Sequence, residues 1–282
     1  MTVAAPRLPR LVIMAKGLAA GWNRLGAQAQ FYAKTVASTG DALLNYRTEL
    51  LRLIAQMGLG TGALAVVGGT VVIVAFLTVT TGALAAVIGY NQFADIGVEA
   101  LTGFASAYFN VRLAAPLTSG IALAATIGAG ATAQLGAMRI NEEIDALEVM
   151  GIRSIPYLAS TRLVAGVIVV IPLYCVAVLA AFVSARLCTT LIYGQSSGVY
   201  DHYFNTFLYP TSLIWSFLLA VSMAIVIMLV HTYYGYTATG GPAGVGEAVG
   251  RAVRSSLVSA GVLTVFVSLA VYGQSGDFNL SG

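Results

Sequence analysis

The chain has 282 residues, 58% of them hydrophobic and only 9% charged, with a formal net charge of +3 and a mean hydropathy of +0.86. Soluble domains carry about 25% charged residues, so the composition excludes a soluble enzyme, and so small and dispersed a positive balance excludes a nucleic-acid binder. Long apolar stretches with few charges imply an all-α integral membrane protein, because in hydrocarbon the backbone polar groups must be satisfied within each helix.

Residues 1–56 form a basic, moderately apolar N-terminal region. Arg7, Arg10, Lys16, Arg24, Lys34, Arg47 and Arg52 are spread along it, with Trp22, Phe31, Tyr32 and Tyr46 interleaved. The first 40 residues hold no compact apolar core followed by a small-residue cleavage site, so no secretory signal is expected. Between Asp41 and Gln56 the apolar positions Leu43, Leu44, Leu50, Leu51 and Ile54 recur at helical spacing, with Arg47 and Arg52 among them. That pattern predicts an amphipathic helix lying in the membrane interface. An ordinary cytoplasmic tail is the alternative.

Residues 57–282 read as the transmembrane domain. Spans are predicted at about 61–88, 102–135, 158–192, 208–230 and 256–272, each near or above the roughly 20 residues that cross a bilayer. The longer ones must tilt, break or project. With the N-terminus in the cytoplasm, every lysine and arginine except Arg112 and Arg186 falls on that side, including Arg139, Arg153, Arg162, Arg251 and Arg254. Asp95, Glu99, Asp201 and Asp277 fall on the other. The excess of positive charge inside predicts an N-in, C-out, multi-pass protein of the plasma (inner) membrane.

Within the second span, residues 120–136 are dominated by glycine and alanine. Such a surface lets helices approach closely, as a transport path, a dimer seam or tight packing inside one subunit. Cys175 and Cys188 share one predicted span and form no disulfide or metal pattern; both are read as buried packing residues. The segment 235–254 is too irregular in its glycines for a phosphate cradle and has no lysine after them. It reads as a loop with a tight turn leading into the fifth span.

Between the second and third spans, residues 137–151 hold Glu142, Glu143, Asp145 and Glu148, in a chain with eleven carboxylates in all. Plotted at roughly 100° per residue, Ile140, Ile144, Leu147 and Met150 share one stripe. Asn141, Asp145 and Glu148 share another, and Glu143 intrudes beside the apolar one. A short amphipathic helix of this kind suggests a docking surface for a second protein carrying basic or hydrogen-bonding groups. A solvated loop helix is the plain alternative.

The chemistry that is missing also bounds the function. No G-x-x-x-x-G-K-[ST] occurs, and the only lysines are Lys16 and Lys34, so the chain has no P-loop with which to hydrolyse ATP. His202 and His231 stand alone, without the spaced ligands a metal site needs, and there is no G-x-S-x-G elbow. No catalytic, cofactor-binding or metal residue is expected. The predicted span interiors lack Asp, Glu, Lys and His, which argues against ion coupling and suits an apolar cargo.

The run QLGAMRINEEIDALEVMGI at 134–152, followed by Pro156, closely resembles the signature of the MlaE/YrbE permeases, membrane subunits of ABC transporters that work with MCE-domain proteins. Residues 235–246, GYTATGGPAGVG, are similar to the family's second block. The resemblance covers nearly the whole chain; Thr161, before Arg162, stands where many members carry proline. It implies a non-catalytic permease in which the helix at about 137–151, between spans two and three, is a cytoplasmic coupling helix seated in a groove of an ATPase. Carried over, the coupling interface comprises Asn141, Glu142, Glu143, Ile144, Asp145, Leu147, Glu148, Met150 and Gly151. The four carboxylates would face or flank the ATPase, Ile144, Leu147 and Met150 would pack nearby, and Gly151 would end the helix. This chain would bind no cofactor, ATP and Mg being used by a cytoplasmic ABC ATPase dimer. The basic N-terminal region looks most like the actinobacterial (mycobacterial) Mce systems. That likeness implies a second related permease in a heterodimer, MCE-domain proteins on the outer side, and lipid cargo: fatty acid, mycolic-type lipid, sterol or phospholipid. A stand-alone secondary carrier or channel, or a scaffold that only anchors MCE proteins, is the alternative.

Overall fold

A computed structural model describes residues 10–59 and 69–273. In chain order the helices are α1 (Arg10–Ala37), α2 (Thr39–Asn45), α3 (Arg47–Leu59), α4 (Gly69–Ala94), α5 (Glu99–Ile140), α6 (Glu143–Val149), α7 (Ile155–Ile192), α8 (Ser197–Phe207), α9 (Pro210–Tyr236) and α10 (Gly241–Tyr272). Among the described residues there is no strand. Five helices, α4, α5, α7, α9 and α10, are long and apolar enough to cross a bilayer, the number and order expected. At 1.5 Å per residue the 42 residues of α5 and the 38 of α7 extend for about 63 and about 57 Å. A hydrocarbon core is about 30 Å thick, so both must tilt or project beyond it.

The most deeply packed helix is α5, 61% buried along its most apolar stretch, followed by α7 and α9; α4 and α10 are only 22% buried. Leu123 and Ile127 of α5, Val170 and Leu173 of α7, and Met223 and Ile227 of α9 meet in one core. Glycines set the closest approaches. A side chain at Gly166 would collide with Met228, and one at Gly128 with the ring of His231. Much of the small-residue stripe in α5 therefore serves packing within one subunit: Gly120, Gly128 and Gly136 abut Met223, His231 and Val245. Ile121, Ala125 and Ala133 on another side of the same helix remain exposed. Two π-helical turns interrupt α5, at Asn110–Ala114 and Ala124–Gly128, and two bracket α7, at Ile155–Ser160 and Cys188–Ile192. Such turns add a residue to the helical repeat and so shift which side chains share a face on either side of them.

Several expectations need correction. The helix predicted over 41–56 is split at Tyr46, whose ring packs edge-on against Tyr157 at 5.2 Å, and α3 continues past residue 56 to Leu59. Nor does the stretch from Phe31 to Asp41 hang free. Phe31 packs against Tyr233 and Tyr236, Ser160 Oγ donates to the Thr35 carbonyl at 2.8 Å, and Asp41 pairs with Arg153 at 2.9 Å. Trp22, Leu25, Leu44 and Leu51 are exposed, the apolar residues an interfacial helix turns toward lipid.

The first apolar segment is described from Gly69; the part predicted from residue 61 lies outside the described residues. The glycine-rich segment is helical from Gly241 onward. Gly240 and Gly241 at φ +91 and +67 make the turn, and Pro242 starts the helix, its fixed φ suiting a first turn. The fourth span runs on to Tyr236 and so takes in His231, which is fully buried. Arg162 is likewise inside α7, 4% exposed, with Nη1 donating to the Leu158 carbonyl at 3.0 Å. The described spans therefore do hold ionisable side chains. The helix passes through Thr161 without a break. Cys188 is buried as expected, but Cys175 is exposed on α7.

At the end of the spans opposite α6, α8 lies against α5. Tyr200 is buried with its hydroxyl donating to Ser106 at 2.8 Å, and Gly103 admits the Tyr200 carbonyl where a side chain would not fit. Arg186 grips Asp201 through two bonds of 2.8 Å, which hold that carboxyl below its usual range. Arg112 sits over the Tyr108 ring at 4.1 Å.

Candidate functional site

The acidic helix α6 is made by two special backbone positions. After α5 ends at Ile140, Glu142 adopts φ +59, ψ +14, the one non-glycine residue with positive φ among those described. That left-handed residue reverses the chain, and its carbonyl accepts the Ala146 N–H at 3.0 Å to start the helix. At the other end Gly151 takes φ +79. Its N–H donates to Glu148 O and that of Ile152 to Leu147 O, both at 3.0 Å. This paired closure is the Schellman motif, which favours glycine at the left-handed position.

Side chains then divide α6 into an inner and an outer side. Ile144 is fully buried beside Leu135 and Leu158, with Met138, Leu147, Tyr157 and Tyr236 around them. It anchors the helix to its own chain and presents nothing outward, whereas the resemblance placed it beside the ATPase. Leu147 is half-buried. Glu148 is held from behind: Ser154 Oγ donates to its Oε1, Tyr236 OH approaches the same oxygen at 3.4 Å, and Ser154 and Tyr236 bond each other at 2.8 Å. Asp145 pairs with Arg139 at 2.7 Å, both partly exposed. Asn141 Nδ2 lies 3.4 Å from Glu143 Oε1.

The outer surface is left to Asn141, Glu142, Glu143, Asp145 and Met150, all exposed, and to Val149, 89% exposed. Glu142 makes no ion pair or side-chain hydrogen bond with any described residue. Val149 was missed in the sequence. Its signal was available, since at roughly 100° per residue it falls about 40° from Asp145, an apolar residue on the acidic face. Beside the helix lies an open cleft of about 420 Å³, lined by Lys34, Ser38, Glu148, Arg153, Ser154 and Pro156. Through it α1, the Gly151 turn and the start of α7 all adjoin α6.

A second feature lies at membrane depth. A cavity of about 320 Å³ opens between α3, α4 and α5, its mainly apolar lining made by Leu53, Met57, Ile73 and Ile127 together with Gln56 and Gln134. A 3.2 Å hydrogen bond joins Thr70 to Thr126 there. Its walls and its size, within the range of small-molecule pockets, suit an apolar chain.

Comparison with known proteins places these features in context. The sequence model of the family described as Permease MlaE matches residues 60–270. The chain is 27% identical over 205 residues to Protein TRIGALACTOSYLDIACYLGLYCEROL 1, chloroplastic, of Arabidopsis thaliana, covering 72% of this chain and 59% of the plant protein. It is 27% identical over 195 residues to a "Probable ABC transporter permease protein" of Rickettsia bellii, covering 66% of this chain and 72% of that one. A protein of the same description from Synechocystis is 22% identical over 187 residues, covering 66% and 71%.

Proposed function

The chain belongs to the MlaE permease family, and we propose that it is the membrane subunit of an ATP-driven ABC transporter that moves lipid across the cell envelope. It is a multi-pass membrane protein. The rickettsial and cyanobacterial relatives carry the ABC permease description, and the plant relative is named for a galactolipid. In this reading the chain catalyses nothing; a cytoplasmic ATPase dimer binds and hydrolyses ATP with Mg. The acidic helix α6 is the coupling helix, the N-terminus lies in the cytoplasm of the plasma (inner) membrane, and the C-terminus lies outside. The thinly covered faces of α4 and α10 receive a second, related permease and the lipid, and MCE-domain proteins meet the α8 end, as the resemblance to the Mce systems suggests.

The observation that carries this reading is the division of α6. Its inner side is bonded into α5, α7 and α9 through Ile144 and Glu148, while its outer side presents Glu142, Glu143, Val149 and Met150 to a partner. A solvated connector would need neither the buried anchor nor the outward apolar pair. When the ATPase dimer closes, its push on α6 would be delivered into the spans around the α3–α4–α5 cavity.

The test is a mild-detergent purification of the tagged chain at native expression, with co-purifying subunits identified by mass spectrometry. An ATPase, a second related permease and MCE proteins are the expected companions. The chain alone after crosslinking, or a homodimer without an ATPase, would overturn the reading in favour of a solitary carrier or a scaffold.

A further inference from the structure

On the flank formed by α1, α9 and α10 lies a groove of about 340 Å³, which shares no lining residue with the α3–α4–α5 cavity. Its floor is apolar, made by Val226, Leu229 and Val230 of α9. Its polar groups are all uncharged: Gln28 and Tyr32 from α1, Tyr234 from α9, and Ser255 and Ser259 from α10. Tyr234 and Ser255 bond each other at 3.2 Å. The amide of Gln28 and the hydroxyls of Tyr32 and Ser259 have no hydrogen-bond partner among the described residues. The position of α1 is well fixed, because the Tyr32 ring meets Tyr233 edge-on at 5.9 Å and Phe31 meets the same ring at 5.5 Å. Burial, with the neighbouring phenols of Tyr234 and Tyr233, pushes the Tyr32 phenol up to about 12, so it is a neutral donor at any physiological pH.

We propose that this groove is a binding site for an uncharged, hydroxyl-bearing membrane lipid, its head among Gln28, Tyr32, Tyr234 and Ser259 and its chain along Val226 and Leu229. Three physical points carry the assignment. The groove follows α9 across nine residues, from Tyr234 to Val226, which is about 12 Å of helix running from the α6 side toward the middle of the span. Around a membrane span the surrounding medium is lipid, so an apolar trough at that depth is filled by an acyl chain. Among the described residues the lining offers phenol, amide and hydroxyl groups but no cation for a phosphate and no anion for an ammonium, and a charged headgroup desolvated among them would lack a counter-ion. A neutral head that both donates and accepts matches what the groove leaves unpaired. Such a lipid would wedge α1 against the α9–α10 pair, on a flank distinct from the proposed transport cavity.

The test is photolabelling of the purified protein, with whatever subunits accompany it, in phosphatidylcholine vesicles containing a diacylglycerol that carries a diazirine on one chain. Labelling is expected to map to residues 226–234 and 255–259 and to be competed by unlabelled diacylglycerol. Tyr32→Phe and Ser259→Ala should each weaken labelling about fivefold, the value of one hydrogen bond, and Leu229→Trp, which fills the floor, should abolish it. Equal, uncompeted labelling by a phosphatidylcholine probe of the same chain would mean bulk lipid only and would overturn the proposal. So would labelling elsewhere, or labelling indifferent to all three substitutions in protein that still inserts and elutes as a single species. The measurement reads binding without ATP or transport, so its result stands apart from the transporter reading.

Discussion

Glu142 allows the conformational and the electrostatic roles of the acidic helix to be separated. Its left-handed backbone, φ +59, costs a non-glycine L-residue about 1–2 kcal/mol. Its carboxylate has no partner among the described residues to offset that, beyond the favourable placement of an anion at a helix N-terminus, about 0.3–1 kcal/mol. Asparagine tolerates this backbone region and is a preferred N-cap, so Glu142→Asn is expected to stabilise the protein by about 0.5–1 kcal/mol, the difference between those two contributions. Glu142→Val puts a β-branched residue where it is a genuine outlier and should destabilise by about 1–2 kcal/mol. Both remove the charge. If Glu142 meets a basic group of the ATPase, each variant should lose about 2 kcal/mol or more of association, roughly thirtyfold in Kd. The assay pairs thermal unfolding in detergent, where 1 kcal/mol moves Tm by about 2–4 °C for a chain of this size, with a binding titration of the purified ATPase. Stability should move in opposite directions while binding falls in both. Binding retained by Glu142→Asn would refute the docking role, and equal stability of the two variants would refute the strain.

Other predictions follow from single contacts. Ile144→Ala empties the site between Leu135 and Leu158 and should cost about 2–5 kcal/mol, seen as faster amide exchange across residues 143–149 with membrane insertion intact. Gly82→Ala places a methyl 2.6 Å from the Ala181 carbonyl of α7, whereas Gly89→Ala meets only the Ala105 methyl at 3.5 Å. The first should lower Tm by prising α4 from α7, at about 1–3 kcal/mol, and the second should leave it nearly unchanged. The raised phenol of Tyr32 gives a definite sign to alkaline behaviour. Because its folded value lies above the unfolded one of 10.0, its contribution is fully present below pH 10 and lost as pH rises through about 12. Near-ultraviolet absorbance during an alkaline titration should show a late phenolate transition that Tyr32→Phe reduces, the remainder coming from Tyr200, whose phenol burial also pushes up to about 12.

Much of this fold was legible in the sequence because its dominant signal is length of apolar run, and the hydrocarbon enforces that signal residue by residue. What escaped was set by pairings distant in the chain. Nothing local to 41–56 announces that the helix must stop at Tyr46; the stop is fixed by Tyr157, a residue in α7. His231 lay just past the expected end of the fourth span because a histidine reads as a boundary residue. Its tolerance inside depends on Thr132 Oγ1 at 2.8 Å, Ser256 Oγ at 3.1 Å and the bare backbone of Gly128, all on other helices. In the acidic stretch the carboxylate pattern was visible, but which apolar residue turns inward was not. Ile144 and Met150 sit on one predicted stripe, yet one is wholly buried and the other 66% exposed, since the helix ends at Val149 and the Gly151 turn carries Met150 away.

The same geometry decides how a force on α6 would travel. A connector tethered only at its ends absorbs a push by bending its loops. Here both loops are tight: Glu142 is fixed by its carbonyl bond to Ala146, and Gly151 by the two bonds that close the C-terminus. Between them Ile144 is packed against α5 and α7, and Glu148 is bonded to the start of α7 through Ser154 and to the end of α9 through Tyr236. Displacement of α6 by an ångström must therefore break these contacts or move α5, α7 and α9 together, and close-packed elements shift as units more readily than they deform. Where α5 yields is also marked, because its π-helical turn at Ala124–Gly128 itself holds both the His231 contact at Gly128 and the cavity wall at Thr126 and Ile127. The α6 end of α5 and its cavity-lining middle thus meet at a turn whose hydrogen bonding is already irregular.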